Sequence, residues 1–283
     1  MTGRYAMEID GLYKYYGKYK GVSDVSFKVK KGEIFGFLGA NGSGKSTTIR
    51  CLLGLIHPGK GKIRLLDGRY PKLKDALQHI GYMPSESMFY PQMRVKETIA
   101  FAAKSYRKDC SAESSRLCRI LDLPLDKKIA ELSLGNRKKV GIVCALQHQP
   151  ELLILDEPTS GLDPLMQERF WMLIKEACHA GASCFLSSHI LEDIRTYCDR
   201  MAIIKDGDIL KVGTLSDLIG SQPKKITFWK DGQLEFRSYA GSGGDLLAYL
   251  QDLQADDFLV EEPSLADLFR HYYQEEKNGF TDA

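Results

Sequence analysis

The stretch GANGSGKST, Gly39 to Thr47, constrains this chain more than any other. It fits the pattern G-x-x-x-x-G-K-S/T. It sits between an apolar run, EIFGFLG (Glu33–Gly39), and a helical pattern, KSTTIRCLLGLI (Lys45–Ile56). A buried strand, a glycine-rich turn and a helix start, in that order, build a cradle for phosphate. The backbone N–H groups of Gly42, Ser43, Gly44 and Lys45 can wrap an anion, and glycine lets the backbone come close. The helix N-terminus adds positive potential. Lys45 is expected to reach the outer phosphates, Ser46 to ligate Mg²⁺, and Thr47 to add a phosphate contact. Pro58 and Gly59 are expected to stop the helix.

A second apolar run, LLILDEP (Leu152–Pro158), ends in two acids. A strand that delivers Asp156 to a phosphate loop suits a Mg²⁺-positioning carboxylate. Glu157 could polarise an attacking water as general base or orienting group. A third run, SCFLSSH (Ser183–His189), ends in His189. In a doubly wound sheet the carboxyl ends of the strands converge on one crevice, so His189 is expected near the terminal phosphate. Tyr16, in KYYGKYKG, either belongs to the core or stacks on a base.

Short apolar runs alternate with helical patterns, which predicts a mixed sheet with crossover helices. KIRLLDG (Lys62–Gly68) reads as strand and turn, and RMAIIKDGDILKVG (Arg200–Gly213) as a hairpin with an Asp-Gly turn. From about residue 85 to 150 the spacing turns helical, so an inserted helical subdomain is expected. After Gly213, SDLIGSQPKK reads as a linker. A hairpin (KITFW-KDG-QLEFRSY), a helix, a strand and a capped terminal helix (SLADLFRHYY) follow. The division is thus residues 1–215 and a small α+β appendage, residues 216–283.

The net charge of +2 gives no global pull toward nucleic acid. Seven cysteines, none with C-x-x-C spacing, read as reduced thiols and not as a disulfide frame or zinc site. No apolar run is long enough to span a membrane or to act as a signal peptide, so any membrane work needs another chain.

With these motifs in this order, the first 215 residues or so resemble the ATP-binding subunit of an ABC transporter. GANGSGKST matches the family's Walker A motif, LLILDE its Walker B, SGLD (Ser160–Asp163) its D-loop and His189 its H-loop. Tyr16 falls on the aromatic A-loop position. LSLGN (Leu132–Asn136) sits where the family has its signature, most often LSGGQ. The resemblance implies an α/β P-loop NTPase fold of the ABC ATPase type. It also implies ATP and Mg²⁺ as ligands, with Glu157, His189 and Lys45 in hydrolysis. It implies a head-to-tail homo- or heterodimer in which Ser133, Gly135 and Asn136 face the nucleotide of the other subunit. Ser133 suits an N-cap, and the helix that follows would turn its positive end to phosphate.

Two departures stand out. The signature carries Leu134 and Asn136 in place of the usual Gly and Gln. At the Q-loop, IGYMPSES, Ser85 stands where the family usually has Gln. Ser reaches less far toward metal or water. The cluster MFY (Met88–Tyr90) looks exposed, as partner surfaces often do. In the family this region meets a membrane subunit. The ending EPSLADLFRHYY resembles ABC-2-type exporters. Arg137, Lys138 and Lys139 read as a solvated helix face near phosphate, and no nucleic-acid partner is expected. The resemblance implies a chain held on the cytoplasmic face of the membrane by a permease subunit. A non-transport ABC ATPase usually carries two cassettes or a coiled-coil insert, and neither pattern is present. The signature, D-loop and His189 together argue against a small-molecule kinase.

Overall fold

The computed structural model describes residues 4–86, 88–219, 223–230, 232–241, 243–261, 264, 265, 267 and 269. The chain divides into two compact units, Met1–Val212 and Gly213–Ala283.

The first unit opens with two long strands, β1 (Tyr5–Tyr16) and β2 (Tyr19–Lys30), then β3 (Ile34–Leu38) and helix α1 (Lys45–Leu52). Next come β4 (Lys60–Leu65), α2 (Leu73–Leu77) and β5 (Ile80–Met83). Helices α3 (Val95–Ala103), α4 (Ser111–Ile120) and α5 (Leu134–Leu146) fill the stretch before β6 (Leu152–Asp156). Then come α6 (Pro164–His179), β7 (Ser183–Ser188), α7 (Leu191–Tyr197), β8 (Arg200–Lys205) and β9 (Asp208–Gly213).

Six strands form the main sheet, in the order β5-β6-β7-β3-β8-β9. The pairs from β5 through β8 are parallel. Parallel strands are buried on both faces, and β3, β6 and β7 are buried at every residue. A second, antiparallel sheet has the order β2-β1-β4. The two sheets meet through aromatic rings. Phe27 of β2 stacks on Phe35 of β3 at 5.2 Å and on Phe185 of β7 at 5.6 Å. Such contacts add to the area term that drives the layers together.

Strands β1 and β2 differ from the sequence expectation, which finds no strands there. Their register slips near Leu12, and Gly11 and Asp24 hold positive φ of 57° and 51°. Bulges of this kind interrupt the period-two pattern in β1, while β2 keeps it from Val25 to Lys30. Helix α1 also departs from expectation. It stops at Leu52, not near Ile56, because Gly54 turns left-handed at φ 67°. The N–H of Leu55 donates to the carbonyl of Arg50 and that of Gly54 to Cys51, closing the helix before Pro58 is reached.

The second unit contains α8 (Leu215–Ile219), β10 (Lys224–Lys230), β11 (Gln233–Tyr239), α9 (Gly243–Leu253) and β12 (Asp257–Glu261). β10 pairs antiparallel with both β11 and β12. Ile226, Phe228, Tyr239 and Leu250 make its core. The SDLI stretch, expected as linker, is helical. Thr214 caps it: its hydroxyl accepts from the Asp217 N–H while the Asp217 carboxylate accepts from the Thr214 N–H. The terminal helix expected in SLADLFRHYY falls largely outside the described residues; at its start Ser264 and Asp267 make the same reciprocal pair.

Candidate functional site: a phosphate loop between two strand ends

β3 delivers the chain to Gly39, whose N–H donates to the Ser188 carbonyl at the end of β7. The loop then turns on Gly42 and Gly44, at φ 82° and 108°. A Cβ on Gly44 would lie 2.9 Å from the Gly21 carbonyl oxygen, and one on Gly39 would lie 2.6 Å from that of Ile204. Glycine is required at both places. The loop is also held from behind. The N–H of Gly207, in the β8–β9 turn, donates to the Ser43 carbonyl at 2.9 Å, and the Gly207 carbonyl accepts from Ser23 N–H at 2.8 Å.

Helix α1 begins at Lys45 with no side-chain cap and no acid in its first turn. Its first amides are left for an anion. The Ser43 hydroxyl is buried without a hydrogen-bond partner inside this turn. Lys45 is buried, and its ammonium donates to the carbonyls of Gly39 at 2.7 Å and Ala40 at 3.1 Å. These features fit a polyphosphate.

Strand β6 brings the two acids to the loop. The Ser46 hydroxyl donates to Asp156 Oδ2 at 2.8 Å, and the Ser187 hydroxyl donates to Oδ1 at 2.5 Å. A hydroxyl beside a carboxylate suits Mg²⁺, which takes a few protein oxygens and completes its shell with phosphate and water. Among the described residues no cluster of three or more His, Cys, Asp or Glu could hold a metal alone.

Glu157 sits at φ 50°, a left-handed conformation that is strained for a residue with a side chain. Its N–H lies 3.2 Å from the Ser187 carbonyl and 3.1 Å from the Ser187 hydroxyl. Its carbonyl accepts from Lys138 Nζ at 2.6 Å. The carboxylate lies between two partners. Oε2 is 2.7 Å from His189 Nδ1, and Oε1 makes a charge contact with Lys45 Nζ at 3.2 Å. Lys45, Ser46, Asp156, Glu157 and His189 are thus brought together at the carboxyl ends of β3, β6 and β7.

The remaining residues fall nearby or apart. Tyr16 is 44% exposed, so it is not core. Its ring and the methyl of Thr47 both flank Gly21, which sets the ring beside the start of α1. Lys14 Nζ stands 5.4 Å from its centroid. Asn41 is exposed in the loop. Ser85 is half-buried just past the end of β5, and the Met83↔Leu155 pairing puts it next to the β6 terminus.

The LSLGN segment forms the start of α5. Ser133 is its N-cap, accepting from Asn136 N–H at 3.3 Å. Gly135 faces Gly161 of the SGLD turn, whose carbonyl oxygen would lie 3.3 Å from an added Cβ. Asp163 caps α6, accepting from Met166 N–H at 3.0 Å. Ser133 and Leu134 are exposed, so this helix end is open to a partner. Of the MFY cluster, Met88 and Tyr90 are exposed as expected but Phe89 is half-buried; Phe101 is exposed as well, and its ring meets that of Tyr90 edge to face at 6.2 Å.

One expectation is corrected. Arg137, Lys138 and Lys139 are not a uniformly solvated face: Lys138 is 4% exposed and points at Glu157. Ser187 also escapes sequence reasoning. A serine late in an apolar strand carries no motif, yet it bridges both acids.

The fold and site together define a P-loop nucleotide-binding cassette. The ABC transporter family profile matches residues 22–160, and the chain belongs to that family. It is 34% identical over 270 residues to the Bacitracin transport ATP-binding protein BcrA of Bacillus licheniformis, covering 94% of this chain and 85% of that one. It is 34% identical over 222 residues to the Probable multidrug ABC transporter ATP-binding protein YbhF of Escherichia coli (strain K12). That match covers 76% of this chain but 38% of the relative's length. A solved ATP-binding subunit of an ABC transporter superposes with TM-score 0.69 at 34% identity, covering 75% of this chain and 91% of that one.

Proposed function

We propose that this chain binds and hydrolyses ATP with Mg²⁺ as a subunit of an ABC exporter, driving transport through a separate membrane chain. The observation that carries the reading is the Glu157 carboxylate held between Lys45 and His189, beside the Ser46–Asp156 pair. In this reading Lys45 leaves the loop carbonyls for the outer phosphates, and the amides at the start of α1 cradle the rest. Ser46 and Asp156 hold Mg²⁺, which when bound neutralises charge on the phosphates. Glu157 accepts a hydrogen bond from a water aimed at the γ-phosphorus, and His189 orients that carboxylate. The water oxygen bonds to phosphorus as its proton passes through the Glu157 carboxylate to the released phosphate, the bond to the β-phosphate oxygen breaks, and ADP leaves with that electron pair.

In this reading the second subunit completes the site. Its Ser133, Gly135 and N-terminus of α5 face the nucleotide, with ATP as the joint. The exposed Met88, Tyr90 and Phe101 cluster is a docking surface for a permease, which would hold the chain on the cytoplasmic face of the membrane. Among the described residues no helix is long and apolar enough to cross a membrane. A further relative, the Nod factor export ATP-binding protein I of Burkholderia orbicola (strain AU 1054), 33% identical over 222 residues, supports the export direction.

The test is Glu157→Gln in Mg²⁺ and ATP, followed by sedimentation. The variant is expected to accumulate as an ATP-bound dimer that ADP does not support. A variant that stays monomeric across the whole protein concentration range sinks the reading.

A further inference from the structure

A buried lysine needs a reason. Taking an ammonium out of water is costly, and Leu or Met would fill the same space without that penalty. Lys138 is 4% exposed, within the first turns of α5. Burial lowers its pKa, while the charges of Glu157 and Asp156 act to raise it. Its ammonium spends a 2.6 Å bond on the carbonyl of Glu157, the residue in strained left-handed geometry.

Both sides of Glu157 are therefore pinned. Ser187 on β7 holds its N–H, and Lys138 on α5 holds its carbonyl. Fixing the backbone fixes where the carboxylate points. The anchor on the second side is the helix that starts at Ser133, five residues earlier and about 7.5 Å along the axis. Gly135 and Gly161 touch alongside it.

We propose that Lys138 is a positioning residue. It ties the hydrolytic carboxylate of one nucleotide site to the helix end that serves the other site. This inference rests on the hydrolysis reading above. When α5 is drawn onto a nucleotide across the dimer, Lys138 carries the shift to the Glu157 carbonyl, so that each site senses whether its neighbour is filled.

Lys138→Met keeps the volume and removes the donor. Its kcat is expected to fall about 10- to 100-fold, the range for a lost charge-assisted hydrogen bond. ATP affinity should stay within about twofold, since no phosphate contact is touched, and the Hill coefficient for ATP should drop toward one. Lys138→Arg, which keeps a charged donor, should recover part of kcat. Amide hydrogen exchange over residues 157–162 reads the tether without turnover and should be at least about tenfold faster in Lys138→Met. Unchanged kcat with unchanged exchange overturns the proposal. So does a loss of kcat and ATP affinity together with no recovery in Lys138→Arg. A wild-type chain without turnover refutes the hydrolysis reading, while the exchange experiment still decides the tether.

Discussion

Lys45 and Glu157 face each other at 3.2 Å, with side chains only 6% and 14% exposed. The lysine also rests on two loop carbonyls. A nucleotide must exchange these partners for phosphate. Lys45→Met is therefore expected to weaken ATP binding about 10- to 100-fold, the worth of a charge-assisted contact. Titration with a fluorescent nucleotide checks this.

His189 touches the opposite carboxylate oxygen and no loop residue among its hydrogen bonds. Its removal should leave binding alone and slow the chemistry. His189→Ala is expected to lower kcat by about 10²-fold or more while the ATP dissociation constant holds. Steady-state phosphate release beside equilibrium binding separates the two.

Much of this site is legible in the sequence, for a physical reason. A phosphate loop needs glycines at fixed spacing, and a parallel strand needs an unbroken apolar run, so Gly39–Thr47 and Leu152–Asp156 announce themselves. Lys138 does not. In RKK all three side chains carry the same charge, and only the helix phase decides which one turns inward. β1 is hidden because the slip at Gly11 interrupts its alternation, whereas the second half of β2, Val25 to Lys30, alternates strictly and is legible as a strand. α8 is hidden because its five residues are too short to show a period, although Thr214 and Asp217 carry the same cap spacing that marks Ser264 and Asp267.

Glycines at positive φ divide by what surrounds them. Gly44→Ala meets both a φ of 108° and the Gly21 carbonyl at 2.9 Å, whereas Gly32→Ala, at φ 73°, meets open space. Backbone strain alone is worth about 1–3 kcal/mol. Gly44→Ala should exceed Gly32→Ala by the added clash. Urea midpoints for the two variants test the order, and equal midpoints would contradict the close approach.

His148 gives the fold an acid sensitivity. It is 4% exposed, stacked 3.5 Å from the Tyr106 ring, and burial pulls its pKa from 6.5 down to about 4. The unfolded chain takes up a proton there below pH 6.5 and the folded chain does not until about pH 4. Stability is present above 6.5 and lost as pH falls through that window, by at most about 3 kcal/mol. His148→Phe should flatten the slope in denaturation curves taken from pH 7 to 4.

The turn at Asp206 and Gly207 holds the Ser43 carbonyl from behind. Every recognisable nucleotide motif precedes it in the chain, ending with His189. During synthesis, then, all of those motifs exist as sequence before the loop has a shape. The phosphate cradle closes only after β8 has joined β3 and the turn has emerged. A fragment cut after His189 would carry the complete written signature of the family and lack the backstop that makes the loop a receptor.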